Sequence, residues 1–326
     1  MIQRNRTNLV LSIVSLCISL FLVELTFRQF YRPVEPLQLG EIVVWDSPQY
    51  ATYTPSENRL GFREDELDET ILTDGTARIL FLGDSFTFGQ GVPDGADRFS
   101  DIIERRLNTE LAGNYHIYNA AKSGTEPHDW LGFLQQLYPI YKPHHIFAVF
   151  FLRDGTSICT SLRCYEPVIK GIKAKYTANF FYDYFHLGKF VGNTLVEREF
   201  TDYYSAQLIA GYLGSKDDTG QWHEEQQALL EMQAFSQQHG LKLHLIIFPI
   251  LFSLDENYPY HQVEQEIIRF ATAANMPVYS LTTGFMGQTD RTLWVSANDQ
   301  HPNEKGHAVA AETLFSYVRQ VLHPSE

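Results

Sequence analysis

The chain has 326 residues, 44% apolar and 20% charged, enough for one large domain or two small ones. Its formal net charge of −14 argues against a nucleic-acid partner, because a phosphate-binding surface needs an excess of Lys and Arg. The 23 Phe and 18 Tyr could stack on sugars, pack acyl chains or simply fill a core.

The amino-terminal segment opens with Arg4 and Arg6. Residues 9–23 then carry no charge, and Leu25 and Phe27 continue the apolar run past Glu24. The uncharged stretch is short against the ~20 residues a full span needs, but flanking residues extend such segments by snorkelling. No small-x-small cleavage site follows it, which sets an uncleaved signal anchor ahead of a cleaved signal peptide or a buried helix. The basic start places the amino terminus in the cytoplasm and the bulk of the chain outside it. Arg28 and Arg32 on the far side pull against that orientation. Residues 32–76 hold several prolines and acidic residues and read partly as linker. Asn58-Arg59-Leu60-Gly61-Phe62-Arg63 reads as a turn leading into the domain.

Residues 78–82 (RILFL) form a short apolar run that ends at Gly83, and Ser85 follows two residues later. The pattern predicts a buried strand that turns sharply and presents Ser85 at its carboxyl end, where open α/β sheets bind ligands. The bland alternative is a serine that only caps the next helix. Apolar spacing predicts a helix over 97–111. A second strand over 116–121 ends in the glycine-bearing turn Lys122-Ser123-Gly124-Thr125, and a helix follows over 126–138. The run HIFAVFFL at 145–152 is that of a central parallel strand, ending in Arg153-Asp154-Gly155.

The alternation then breaks. Residues 156–220 are rich in Tyr, Phe and Gly and show no long periodic segment, so they read as an insertion or lid beside the site. Helix returns over 222–239, strand over 241–248, helix over 259–274, a short strand over 277–281 and a closing helix over 303–322. Alternation of this kind implies a parallel sheet covered on both faces.

Asn298-Asp299-Gln300-His301-Pro302-Asn303 falls in a loop just before the last helix. A serine after the first strand, glycine turns after later strands and Asp-x-His near the end are the parts acyl transfer needs. Serine needs a base to become nucleophilic. Histidine needs a carboxylate to fix its tautomer and stabilise its cation. The oxyanion needs preorganised N–H donors.

On these motifs the chain resembles the SGNH hydrolases, or GDSL-type esterases, and among them the membrane-anchored bacterial branch. Gly83-Asp84-Ser85-Phe86 resembles their first motif, Asn119-Ala120-Ala121-Lys122-Ser123-Gly124 the second, and Asp299-Gln300-His301-Pro302-Asn303 the last. The resemblance implies a three-layer α/β/α sandwich with a parallel, flavodoxin-like sheet, preceded by one transmembrane helix. It implies Ser85 as nucleophile, His301 as base and Asp299 as its carboxylate. The N–H groups of Ser85 and Gly124 would be oxyanion donors, and Asp84 and Asp154 stand beside them as candidate substrate contacts. Two departures stand out. The family's third motif, Gly-x-Asn-Asp, is here Leu152-Arg153-Asp154-Gly155, so Arg153 is either a substitute donor or a structural partner of Asp154. The more common two-residue gap before histidine would select Asn298. The one-residue gap resembles the branch that acetylates exopolysaccharides, and selects Asp299.

The expected organisation is a cytoplasmic start and anchor at 1–31, a linker and lead-in at 32–76, and an SGNH-like domain at 77–322 with the insertion at 156–220. The expected activity is hydrolysis of a short-chain or acetyl O-ester on a small molecule or glycan. An O-acyltransferase acting on an extracytoplasmic polysaccharide and a degenerate binding domain are the alternatives. No cofactor is expected, and no cluster has metal-ligand spacing. Cys159 and Cys164 would form a small disulfide loop outside the cytoplasm, with two free thiols as the alternative. His144, His145 and His307 read as strand-edge and packing residues.

Overall fold

The computed structural model describes residues 2–33, 37, 56–111, 113–156, 158, 162–214, 221–296 and 299–323. The chain divides into two compact units, 1–42 with 159–206, and 43–158 with 207–326.

The larger unit is built on five parallel strands in the order β2-β1-β3-β4-β5: β1 (Ala77–Gly83), β2 (Tyr115–Asn119), β3 (His145–Phe151), β4 (Lys242–Phe248) and β5 (Val278–Ser280). The alternation of strands and helices implies only a parallel sheet; the order itself is the flavodoxin-like one that the resemblance implies. From Ile146 to Leu152 every side chain is buried, as a strand covered on both faces requires. Phe147 stacks on Phe81 across β3 and β1, with centroids 5.1 Å apart. The one charge in β1, Arg78, is tolerated because its guanidinium donates to the carbonyls of Tyr141, Lys142, Ile71 and Thr76.

Four long helices cover this sheet: α3 (Phe99–Glu110), α4 (Pro127–Tyr141), α8 (Gln221–Gln238) and α11 (Glu304–Leu322). A fifth, α9 (His261–Ala273), and the one-turn α2 (Ser85–Phe88) and α10 (Thr282–Phe285) complete the layers. β1 to β2 runs in one direction across the sheet and the later crossovers in the other. Right-handed connections therefore put α3 on one face and α4 and α8 on the opposite face. The packing of α3 on α11 and of α4 on α8 agrees. The reversal lies between β1 and β3, so the loops after these strands frame the crevice where such sheets bind ligands.

The first difference from the sequence expectation concerns the last motif. Asp299 and His301 are not in a loop. They lie on β7 (Asp299–Pro302), paired antiparallel with β6 (Trp294–Ser296). Strands this short, separated by two residues, carry no periodic pattern.

The smaller unit holds α1 (Ile2–Phe30), α5 (Glu166–Thr177), α6 (Phe180–Tyr184) and most of α7 (His186–Leu213), which runs across the division. The segment expected to lack long periodic structure is thus largely helical. Its apolar residues line up only in the folded unit, where Ile169, Ile172, Val196 and Phe200 form a buried cluster. Within α1, residues Val10–Phe30 are long and apolar enough to cross a membrane, with mean hydropathy 2.3. Such a helix is compatible with an anchor or a signal sequence. Cys164 is disulfide-bonded. Cys159 lies outside the described residues.

Candidate active site

Ser85 is the first residue of α2, immediately beyond β1. The turn is tight because Gly83 has no side chain: a Cβ there would clash with Thr87 and come within 3.1 Å of the Val149 carbonyl. The helix cap is Asp84, whose carboxylate accepts the Phe86 N–H at 2.9 Å. The capping role considered for Ser85 therefore falls to its neighbour, and the Ser85 hydroxyl is available for other bonds.

That hydroxyl lies 2.9 Å from His301 Nε2 and also 3.3 Å from Asp84 Oδ2. His301 Nδ1 lies 2.5 Å from Asp299 Oδ1, which also accepts the His301 backbone N–H at 3.0 Å. An Nδ1–H directed at the carboxylate leaves Nε2 as an acceptor facing Ser85. The three residues singled out from sequence are thus in one hydrogen-bonded row, although 216 positions separate Ser85 from His301. Phe86 packs against the imidazole with centroids 5.2 Å apart. Asn298 lies outside the described residues.

The second loop is fastened to the first. Lys122 N–H and the Thr125 hydroxyl both donate to the Gly83 carbonyl, at 3.2 Å each. Thr125 in turn accepts from Trp130 Nε1 at 3.1 Å. Gly124 stands in this loop with φ +77°, a left-handed conformation that favours glycine. Among the described residues its N–H donates to no backbone carbonyl. The Ser85 N–H, at the start of a helix, is intrinsically one of the unpaired donors. Asn119, at the end of β2, holds the base of the site by donating to the Thr87 carbonyl at 2.7 Å and to Ser100 Oγ at 2.9 Å.

At the end of β3, the guanidinium of Arg153 lies over the Phe151 ring, 5.3 Å from its centroid. Asp154 turns inward, and its carboxylate accepts the Phe151 N–H at 3.1 Å. Asp84 and Asp154, read from sequence as substrate contacts, are both buried. Burial raises both carboxyls above the ordinary range, and the charge of Asp84 raises Asp154 further. The positive charge of Arg153 opposes both shifts. Arg153 therefore compensates two buried acids through space. Its place on Phe151 gives it a position that pairing with Asp154 alone does not describe.

Two supports were not foreseen. Arg63, from the Gly-Phe-Arg turn, donates to the carbonyls of Phe88, Gly89, Val92 and Pro93, and so fixes the chain leaving α2. Asn303 caps α11 by accepting the Gly306 N–H at 3.1 Å and donates to the Trp294 carbonyl at 2.9 Å, which ties β6 to the start of that helix. Asn303 directly before Glu304, at the start of the expected helix, is a capping signal that sequence could have supplied.

His307 is a packing residue in this structure. It is buried, accepts the Phe99 N–H at 3.2 Å through Nδ1, stacks on Phe99, and burial pushes its imidazole down to about 3. One further group was invisible in sequence spacing. Glu126, His128 and Glu225 bring one potential ligand atom each within 4.8 Å of one another. In the present structure Glu126 and Asp129 form a capping box at the start of α4, and His128 is exposed.

No family model matches the chain, and no curated protein matches it. Several solved structures are similar to it. The crystal structure of TesA has 16% identity and a TM-score of 0.45, covering 75% of this chain and 99% of that one. The psychrotrophic esterase EstA from Pseudoalteromonas sp. has 14% identity and a TM-score of 0.43, covering 76% and 98%. The lipase/acylhydrolase from Enterococcus faecalis has 15% identity and a TM-score of 0.44, also covering 76% and 98%. A lipolytic protein of the G-D-S-L family from Desulfitobacterium hafniense DCB-2 has 13% identity and a TM-score of 0.42, covering 74% of this chain and 98% of that one.

Proposed function

We propose that the protein is a membrane-anchored serine ester hydrolase acting on a short O-acyl ester outside the cytoplasm. The observation that carries this reading is the row Ser85 Oγ, His301 Nε2, His301 Nδ1, Asp299 Oδ1, with separations of 2.9 and 2.5 Å. Ser85 Oγ attacks the acyl carbonyl while its proton passes to His301 Nε2. Asp299 stabilises the imidazolium through Nδ1–H. The tetrahedral oxyanion is received by the N–H groups of Ser85 and Gly124, with the charge of Arg153 as a third contribution. The C–O bond then breaks, and His301 returns its proton to the departing alkoxide. Water repeats the sequence on the acyl-enzyme and restores the Ser85 hydroxyl.

Two measurements test the reading. A serine-reactive phosphonate should label the parent at Ser85, in a reaction that a non-catalytic binding domain would not give. Release of free acid from an acetylated glycan supports hydrolysis; transfer to an added glycan hydroxyl in preference to water would make the protein a transferase with the same acyl-enzyme. The location is tested separately. The basic start and α1 support retention as an anchor with the amino terminus in the cytoplasm. A carboxyl-terminal reporter active only after export should therefore be active, and activity of a cytoplasm-only reporter would reverse the orientation.

A further inference from the structure

The large exposed apolar side chains of the described residues are concentrated. They fall on α1, on residues 180–195 and at Leu213. The second group comprises Phe180, Phe181, Tyr184, Phe190, Val191 and Leu195, with Phe180 and Phe181 at 63% and 68% exposure. A concentration of exposed apolar side chains of this kind marks an interaction site.

What covers it is indicated by where it is attached. Glu24, inside the apolar span of α1, accepts the N–H groups of His186 and Leu187 at 3.0 and 3.1 Å. These are the first two residues of α7, so the carboxylate caps that helix amino terminus. Arg28 donates to Glu24 at 2.8 Å and to the Tyr184 carbonyl at 3.1 Å. Phe27 and Tyr31 pack against Phe190, with centroids 5.1 and 5.4 Å apart. Glu24 is itself buried. An acidic side chain in a spanning helix persists when it is paired, and here a guanidinium and two backbone donors pair it.

The depth follows from helix geometry. The span ends at Phe30, and at 1.5 Å per residue Glu24 lies roughly 9 Å before that end. The start of α7 is bonded at that level, and the exposed rings of α6 precede it directly. A bilayer that covers Val10–Phe30 therefore meets these rings at its interfacial layer, the depth aromatic side chains favour.

We propose that α6 and the first turns of α7 are seated in the bilayer interface at which α1 ends, so that anchor and aromatic platform are one membrane-bound element. The inference rests on the reading of α1 as a retained anchor, and extends it to a segment far away in sequence.

The test uses the full chain in phosphatidylcholine vesicles, with Phe181→Trp as probe and Phe21→Trp as anchor control. Emission is compared with the parent, which has four Trp, in lipids brominated near the carbonyl or deep in the acyl chain. Phe21→Trp should lose most of its added emission to deep bromines. Phe181→Trp should lose most of its added emission to shallow bromines. Quenching of Phe21→Trp with none of Phe181→Trp would overturn the platform and leave the anchor standing. Absence of quenching at both positions would remove the anchor itself. Protection of Phe181→Trp that depends on protein concentration, without bromine quenching, would assign the surface to a second copy of the chain and also overturn the proposal.

Discussion

Ser85 and His301 meet at 2.9 Å, but the chain holds them by different means. Ser85 is carried by a buried central strand, on a turn where Gly83 leaves no room for a side chain. Its position is set by close packing of the sheet, which resists small displacements. His301 is carried by a four-residue strand outside that sheet, which among the described residues pairs with β6 alone. Its position is set by discrete hydrogen bonds, from the ring Nδ1–H to Asp299 and from the Asn303 amide to the Trp294 carbonyl. Loss of the Ser85 hydroxyl should therefore change chemistry with little change in stability, whereas substitutions on the His301 side should change both.

The largest effect expected is that of Ser85→Ala. Loss of a triad serine lowers kcat by roughly 10⁶-fold, while the melting temperature should stay close to that of the parent. Turnover of an aryl ester at more than a few per cent of the parent rate would break the assignment. Asp299→Asn comes next. It keeps the shape but favours the wrong imidazole tautomer, and should cost about 10⁴ in kcat. An unchanged kcat would give the orienting role to another group.

Arg153 tests a third region, the end of β3. If its charge receives the oxyanion, Arg153→Ala should lower kcat by roughly 10²–10³ with little change in KM. Arg153→Asn, which restores the family's side chain, should recover part of that loss. If Arg153 only compensates the buried acids Asp84 and Asp154, both variants should instead lose melting temperature at full kcat.

Asn303→Ala sharpens the contrast between the two supports. Loss of a helix cap costs about 1 kcal/mol, or a fall of about 2–4 °C in melting temperature for a domain of this size. Because the same side chain holds β6, kcat should fall as well, more than for an equally destabilising change beneath β1. Equal effects on both sides would show that the hairpin is no softer than the sheet.

The smallest effect concerns Glu225, which lies away from both. Burial pushes its carboxyl up to about 7. Its folded-state value is above the ordinary one, so its contribution to stability is present below about 4.5 and is lost as pH rises through about 7. The melting temperature of Glu225→Gln should accordingly decline less than that of the parent between pH 5 and 8 in a thermal scan.

Much of the fold was legible because its signals are local. The run HIFAVFF is short, aromatic-rich and followed by turn residues, which favours a strand buried on both faces, and Gly83-Asp84-Ser85 marks a turn by composition. Alternation of strand and helix implied a parallel sheet, and the flavodoxin-like order agrees with what the motifs suggested. Ser85, Asp299 and His301 could be singled out as candidates because serine, imidazole and carboxylate together are what acyl transfer needs.

What the sequence by itself determined about this protein is the set of elements whose pattern repeats within one turn or one strand, together with the residue types that can perform acyl transfer. The tertiary structure alone decided the rest. It put Asp299 and His301 on a hairpin too short for any periodicity to reveal. It made Asp84 the helix cap and freed the Ser85 hydroxyl. It buried Asp84 with Asp154 so that Arg153 balances both. It also joined Glu24 to His186, turning an irregular-looking segment into helices packed on α1. These outcomes depend on contacts between residues far apart in the chain, where burial and charge act through space and local pattern carries no information about them.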